Sequence, residues 1–251
     1  PSPPPPPPPH PHHPHFFFFF FYVHVLLLYV HLDHVVHVDF DDADDTKDGT
    51  GAIFAYLTPD NSNIYVYSDD DITATLAVDT ADDTGNVFIG AADSTTDMSN
   101  LDATFNDFET INVTAQGLSS IQTQTFAEFG GTDLTTLNVS GTRLTITAWN
   151  GSTKLTTIDA SNVGKFIMSA ANPAGALYPD TITGSPGDDT LAGGTAASVI
   201  KGGTGKDTIT GNAGADTLWG EAGADIITGG AGSDDIAVSY THLTLPTNRE
   251  V

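Results

Sequence analysis

Cysteine is absent from the 251 residues, so neither a disulfide nor a thiolate metal site can hold the chain together. Cationic side chains are nearly as scarce, with seven Lys and Arg against 32 Asp and Glu and a formal net charge of −25. Phosphate backbones are bound through Lys and Arg, which excludes nucleic acid as a partner. Anionic membrane surfaces are disfavoured for the same reason. Glutamate is rare even among the acids, since only Glu109, Glu128, Glu221 and Glu250 occur. Either acid would solvate a surface, but Asp is the residue of turns and of tight oxygen cages around hard cations. Divalent cations are therefore the natural counter-charge. No His occurs between 38 and 241, so a Ser/His/Asp triad cannot be assembled there. His-Glu-x-x-His and Gly-x-Ser-x-Gly are both missing. The chain is not expected to be an enzyme. Long helical patterns are lacking as well, and the Thr, Gly, Ala and Asp of the middle region read as short strands between turns.

What is present is a period of nine. From 175 to 237 it runs for seven units without insertion: GALYPDTIT, GSPGDDTLA, GGTAASVIK, GGTGKDTIT, GNAGADTLW, GEAGADIIT and GGAGSDDIA. Position one is Gly in all seven, position four is Gly in five, position six is Asp in six, and position eight is always Leu or Ile. Glycine at positions one and four is expected to carry φ > 0 and to let peptide carbonyls point at one centre. Asp at position six adds a hard carboxylate oxygen to that centre. The triplet around position eight reads as a three-residue strand with its middle side chain inward. Two nonapeptides make one coil, so each unit stacks on the next but one.

This pattern, Gly-Gly-x-Gly-x-Asp-x-U-x with U a large apolar residue, resembles the RTX (haemolysin-type) calcium-binding repeats of bacterial secreted proteins. The resemblance implies a parallel β-roll with Ca²⁺ between stacked turns, unfolded in the low-calcium cytosol and folded outside the cell. The register gives two columns. Asp189, Asp207 and Asp225 form one, with Gly187, Gly205 and Gly223 at position four. Asp180, Ser198, Asp216 and Asp234 form the other, with Gly214 and Gly232 at position four but Ala196 and Tyr178 where Gly is expected. Good sites are expected in the 189/207, 207/225 and 216/234 gaps. Sites using Asp180 and Ser198 are expected to be weak, because Ser198 offers a neutral oxygen and Ala196 resists the turn. One large apolar side chain per nine residues cannot offset the ordering entropy, so calcium binding and folding are expected to be one event.

Upstream, residues 46–174 carry a looser rhythm. Phe108-Glu-Thr-Ile-Asn-Val113, Leu134-Thr-Thr-Leu-Asn-Val139 and Leu155-Thr-Thr-Ile-Asp-Ala160 share an apolar-x-x-apolar-x-apolar frame. Leu118-Ser-Ser-Ile121 and Leu144-Thr-Ile146 read as partial copies. This region looks like the Thr-rich β-solenoid of bacterial surface-layer and RTX adhesin proteins, with an unrelated β-sandwich as the ordinary alternative. Asn63 to Tyr67 and Ile72 to Val78 alternate like the strands of a hairpin around Asp69-Asp-Asp71. Residues 1–45, a Pro run followed by a His-rich stretch and six Phe, read as disordered or as translated simple-sequence DNA. Their apolar stretch is shorter than the roughly 20 residues a membrane span needs. Residues 238–251 include Val-Ser-Tyr-Thr-His-Leu-Thr-Leu-Pro-Thr, which resembles a translated sequencing-library adapter, so the chain is expected to be a fragment. The fold class expected is all-β, a calcium-binding parallel β-roll preceded by an irregular β-solenoid. The expected location is extracellular, secreted or on the cell surface. Expected partners are calcium ions, with self-association or a cell-surface polysaccharide as further candidates. The alternative is the C-terminal secretion module of a hydrolase whose catalytic domain lies elsewhere. Because Asp207 serves two intact gaps, Asp207→Ala should depress the calcium response of the circular dichroism strand signal strongly, and Asp180→Ala only slightly. Equal responses would contradict the two-column register.

Overall fold

The computed structural model describes residues 82–90, 98, 101–117, 122–151, 154–168 and 181–238, together with strands at 27–28, 35–38, 52–57, 62–66 and 71–76. Every regular element among the described residues is a β-strand. The chain winds as a solenoid whose successive strands alternate between two parallel sheets, each coil giving one strand to each. One sheet runs from Leu27–Leu28 through Ala52–Leu57, Asp71–Leu76, Leu101–Asn106, Gln124–Gly130, Leu144–Asn150, Phe166–Met168, Thr190–Ala192 and Thr208–Ala213 to Ile226–Ala231. The other stacks Val35–Val38, Ser62–Val66, Thr84–Ile89, Thr110–Ala115, Thr136–Gly141, Thr157–Val163, Thr181–Thr183, Val199–Lys201, Thr217–Gly223 and Asp235–Val238. Residues 239–251 and the remainder of 1–45 lie outside the described residues.

Alternation of side chains along each strand explains the core. In Thr110–Ala115 and Thr136–Gly141 the apolar residues point inward, while Thr and Asn face out. All nine apolar positions of the three full motif copies are buried. Their spacing becomes coil length, 26 and then 21 residues, because Thr110, Thr136 and Thr157 are paired in register. Register then carries across the composition change near 175. Ile111, Leu137, Ile158, Ile182, Ile200, Leu218 and Ile236 form one continuous inward column. Position eight of the nonapeptide thus continues the middle apolar residue of the Thr-rich motif. The two regions are one solenoid.

The coils differ in how they are filled. Between 101 and 168, Phe105, Phe108, Phe126, Phe129 and Phe166 are all fully buried. Phe129 touches Phe105, Phe126 and Trp149 with ring centroids 5.6, 5.0 and 6.0 Å away. On the outer face, Asn63, Asn86, Asn112 and Asn138 form an amide ladder at 2.8–3.0 Å, each bond contributing about 0.5–1.5 kcal/mol net. The nonapeptide coils shrink to 18 residues and, among the described residues, bury the apolar side chains of Ile182, Leu191, Ala192, Ile200, Ile209 and Leu218. Ile227 is partly covered, and Ile236 is 45% exposed.

Two expectations are corrected. Ser62–Val66 and Asp71–Leu76 are not a hairpin; they lie in opposite sheets, each pairing in parallel with strands one coil away. A solenoid supplies those partners at long range, so the two strands need no antiparallel pairing with each other. Leu144-Thr-Ile146 is not a copy of the Thr-rich motif's strand, since it sits in the other sheet beside Gln124–Gly130 and Phe166–Met168. Leu118 and Ile121 lie outside the described residues. Strands after 208 also outrun the expected three residues, because pairing continues into the turns, as at Asn212↔Gly230. Phe129→Ala should lower stability by about 3–5 kcal/mol, read as an earlier denaturant midpoint at saturating calcium. An unchanged midpoint would show that the aromatic cluster does not support the upstream coils.

Candidate metal centre

Each nonapeptide ends its turn with the position-six residue, one step before the strand. Stacking at 18 residues brings these residues over one another. The Thr208 and Ile226 N–H groups donate to the Asp189 and Asp207 carbonyls at 2.9 and 2.7 Å. In the second column Thr217 and Asp235 donate likewise to Ser198 and Asp216, at 2.8 and 2.7 Å. Side chains tie the coils from the other direction. Asp207 Oδ1 accepts the Asp189 N–H at 2.9 Å, and Asp225 Oδ1 accepts that of Asp207 at 3.1 Å. Asp216 Oδ1 accepts the Ser198 N–H at 2.8 Å, and Asp234 Oδ1 that of Asp216 at 3.2 Å. The columns are therefore Asp189–Asp207–Asp225 and Ser198–Asp216–Asp234. Asp180 and Tyr178 lie outside the described residues.

The second carboxylate oxygen decides the chemistry. Asp207 and Asp216 are fully buried, and Oδ2 of each has no hydrogen-bond partner. A buried carboxylate oxygen left unpaired is costly, so a cation or a proton has to supply what the protein does not. Its surroundings are further oxygens. A methyl group built on Gly202 would collide with Asp207 Oδ2 and lie 2.8 Å from the Gly220 carbonyl. One built on Gly211 would collide with both Asp216 Oδ2 and the Gly229 carbonyl. A carboxylate of one coil and a peptide carbonyl of the next thus face one small space. Calcium takes six to eight such hard oxygens at roughly 2.3–2.6 Å, and the donor set fits it. Among the described residues no three His, Asp or Glu side chains converge as a ready-made cluster, so peptide carbonyls would have to complete the shell.

The glycines work differently from expectation. Position one does not take positive φ among the described residues; where position six is Asp, a side chain is excluded because the carboxylate, and at Gly184, Gly202 and Gly211 also the next coil's carbonyl, already occupy that space. Left-handed backbone falls instead at position two, in Gly203 (φ +105°), Asn212 (+73°), Glu221 (+62°) and Gly230 (+109°). At position four it holds for Gly205, Gly214, Gly223 and Gly232, whereas Gly187 and Ala196 keep an ordinary φ. Ala196 is accommodated because its turn does not enter the left-handed region. Ser198 Oγ is engaged by its own turn, donating to the Ala196 carbonyl at 3.3 Å, and it brings no charge. The role of position two was missed from sequence because Gly, Asn and Glu share no obvious type, although Asn is a known tolerator of this backbone.

Burial, and secondarily the negative charges of Asp189, Asp225 and Asp188, push the Asp207 carboxyl up to about 6, against the opposing Asp189 N–H. Burial also raises Asp189, opposed by hydrogen bonds from Ser185 and the Phe166 N–H and by the charge of Lys165.

This geometry defines a class: a parallel β-solenoid whose turns line up carboxylates and carbonyls along the stack. Residues 175–200 and 201–236 match the family model of the RTX calcium-binding nonapeptide repeat (4 copies). That part of the chain is a run of RTX repeats, and the cation such repeats bind is calcium. Comparison with curated proteins and with solved structures finds no match.

A carboxyl raised by folding stabilises the metal-free turn only while protonated. That contribution is present below the ordinary value of 3.8 and disappears as pH rises through about 6. In excess chelator, the strand signal of the roll should therefore weaken across that window. With calcium present, affinity should rise over the same window, because the ion displaces the proton. Asp207→Asn should flatten both dependences, and unchanged pH profiles in that variant would contradict the assignment.

Proposed function

We propose that the chain is a non-enzymatic, extracellular structural module of surface-layer or adhesin type, which stiffens when it meets calcium outside the cell. The observation that supports this reading is the unbroken column from Ile111 to Ile236, which joins the Thr-rich coils to the RTX coils with no separate fold between them. A rod continuous in this way suits load-bearing or spacing. The second reading is a calcium-binding secretion module of a hydrolase whose catalytic domain lies elsewhere. Extracellular calcium modules bind at about 10⁻⁴–10⁻³ M, which is the regime in which a chain with so many carboxylates stays unfolded inside the cell and orders outside it. Among the described residues no helix is long and apolar enough to cross a membrane. Self-association or a cell-surface polysaccharide is the attachment this reading carries.

Sedimentation at millimolar-range calcium, alone and with purified cell-wall polysaccharide, tests the reading. Calcium-dependent assembly or co-sedimentation that chelator reverses is expected. A chain that folds with calcium yet stays monomeric and unattached would overturn the structural role and leave the calcium binding standing.

A further inference from the structure

The two ends of the Asp189–Asp207–Asp225 column are not equivalent. Asp189 is 2% exposed, nearly as buried as Asp207, but both of its carboxylate oxygens are engaged. Oδ1 accepts the Phe166 N–H at 2.7 Å and the Ser185 hydroxyl at 2.6 Å, while Oδ2 accepts the Ser185 N–H at 2.5 Å. One coil further, Asp207 keeps its Oδ1 bond to the coil beneath but leaves Oδ2 without a partner. Asp216 does the same in the second column.

The difference traces to position two of the repeat. In chain order that position is Ala176, Ser185, Gly194, Gly203, Asn212, Glu221 and Gly230, so Ser185 alone carries a hydroxyl. Ser185 also keeps an ordinary φ, whereas the last four turn left-handed. Beneath it, the turn at 163–166 copies a repeat turn without belonging to one. Gly187 packs directly on the Gly164 carbonyl, and Lys165 contributes positive charge toward Asp189. That turn is anchored in the aromatic-filled coils, with Phe166 fully buried and the Leu144 N–H bonded to the Lys165 carbonyl at 3.0 Å.

We propose that Ser185 and the turn at 163–166 take the place of a calcium ion at the upstream end of the roll, so that its first coil orders without metal and seeds the coils after it. Calcium is then required only from Asp207 and Asp216 onward, so the 189/207 gap, counted from sequence among the good sites, orders without needing its ion, and ordering spreads from the upstream solenoid toward Val238. The inference rests on the calcium reading above and concerns where along the stack the ion becomes necessary. Ser185 acts as a positioning residue, holding the Asp189 carboxylate in the place an ion would otherwise fix it.

Amide hydrogen exchange on the whole chain, in chelator and in calcium, tests it. In chelator, Thr190–Ala192 should remain protected along with Thr157–Val163, while Thr208–Ala213 and Ile226–Ala231 exchange freely until calcium is added. Ser185→Ala should speed exchange at 190–192 by about tenfold or more in chelator, calcium should restore the protection, and Ser185→Thr, which keeps the hydroxyl, should behave like the parent. If 190–192 exchanges as fast as 226–231 in chelator while 157–163 stays protected, the seeding role is wrong and the calcium reading survives. An exchange rate left unchanged by Ser185→Ala would likewise overturn the seeding role alone. Protection of 208–231 in chelator would instead remove the calcium reading itself.

Discussion

A buried carboxylate oxygen with no donor is the constraint on which the nonapeptide coils depend. Asp207 and Asp216 each use one oxygen to clamp the backbone of the coil beneath, and that clamp draws the other oxygen out of water. In a chain with more cationic side chains, Lys or Arg could satisfy it. Here seven basic residues serve 251 positions, and the space beside Gly202 and Gly211 is too small for a side chain. A compact divalent ion meets the charge, the size and the oxygen-donor chemistry together. The glycine at position one, the short carboxylate at position six and the 18-residue coil all follow from that requirement.

The upstream coils obey different physics. Five buried Phe rings and an asparagine ladder give them apolar area and polar satisfaction without an ion. Longer coils of 26 and 21 residues enclose more core than coils of 18. The solenoid is thus one topology supported in two ways, by hydrophobic filling at one end and by charge neutralisation at the other. Phe166 and Asp189, linked by a single hydrogen bond, mark the place where the first support hands over to the second.

Much of this was legible in the residues. A strict period of nine fixes coil length, column membership and the inward position, and the observed registers of Thr181, Val199, Thr217 and Asp235 agree with it. The Thr-rich motif spacing likewise became coil length. Other features depend on partners that no local pattern reveals. The amide ladder was printed in Thr-Ile-Asn-Val and Thr-Leu-Asn-Val, yet Asn reads as a turn residue until it is known to stack on itself. The hairpin inferred around Asp69 failed because alternation reveals a strand but not its partner, and parallel partners lie a full coil away. Ser185 sits at a position the repeat leaves variable, and its value lies in contact with Asp189 four residues on and with a turn outside the repeat.

A crystal structure grown with calcium tests the neutralisation of these oxygens most directly. An ion touching both Asp207 Oδ2 and the Gly220 carbonyl, at roughly 2.3–2.6 Å, with a second one between Asp216 and the Gly229 carbonyl, is the predicted result. Spaces that hold no ion at saturating calcium, in coils that remain ordered at neutral pH, would contradict it.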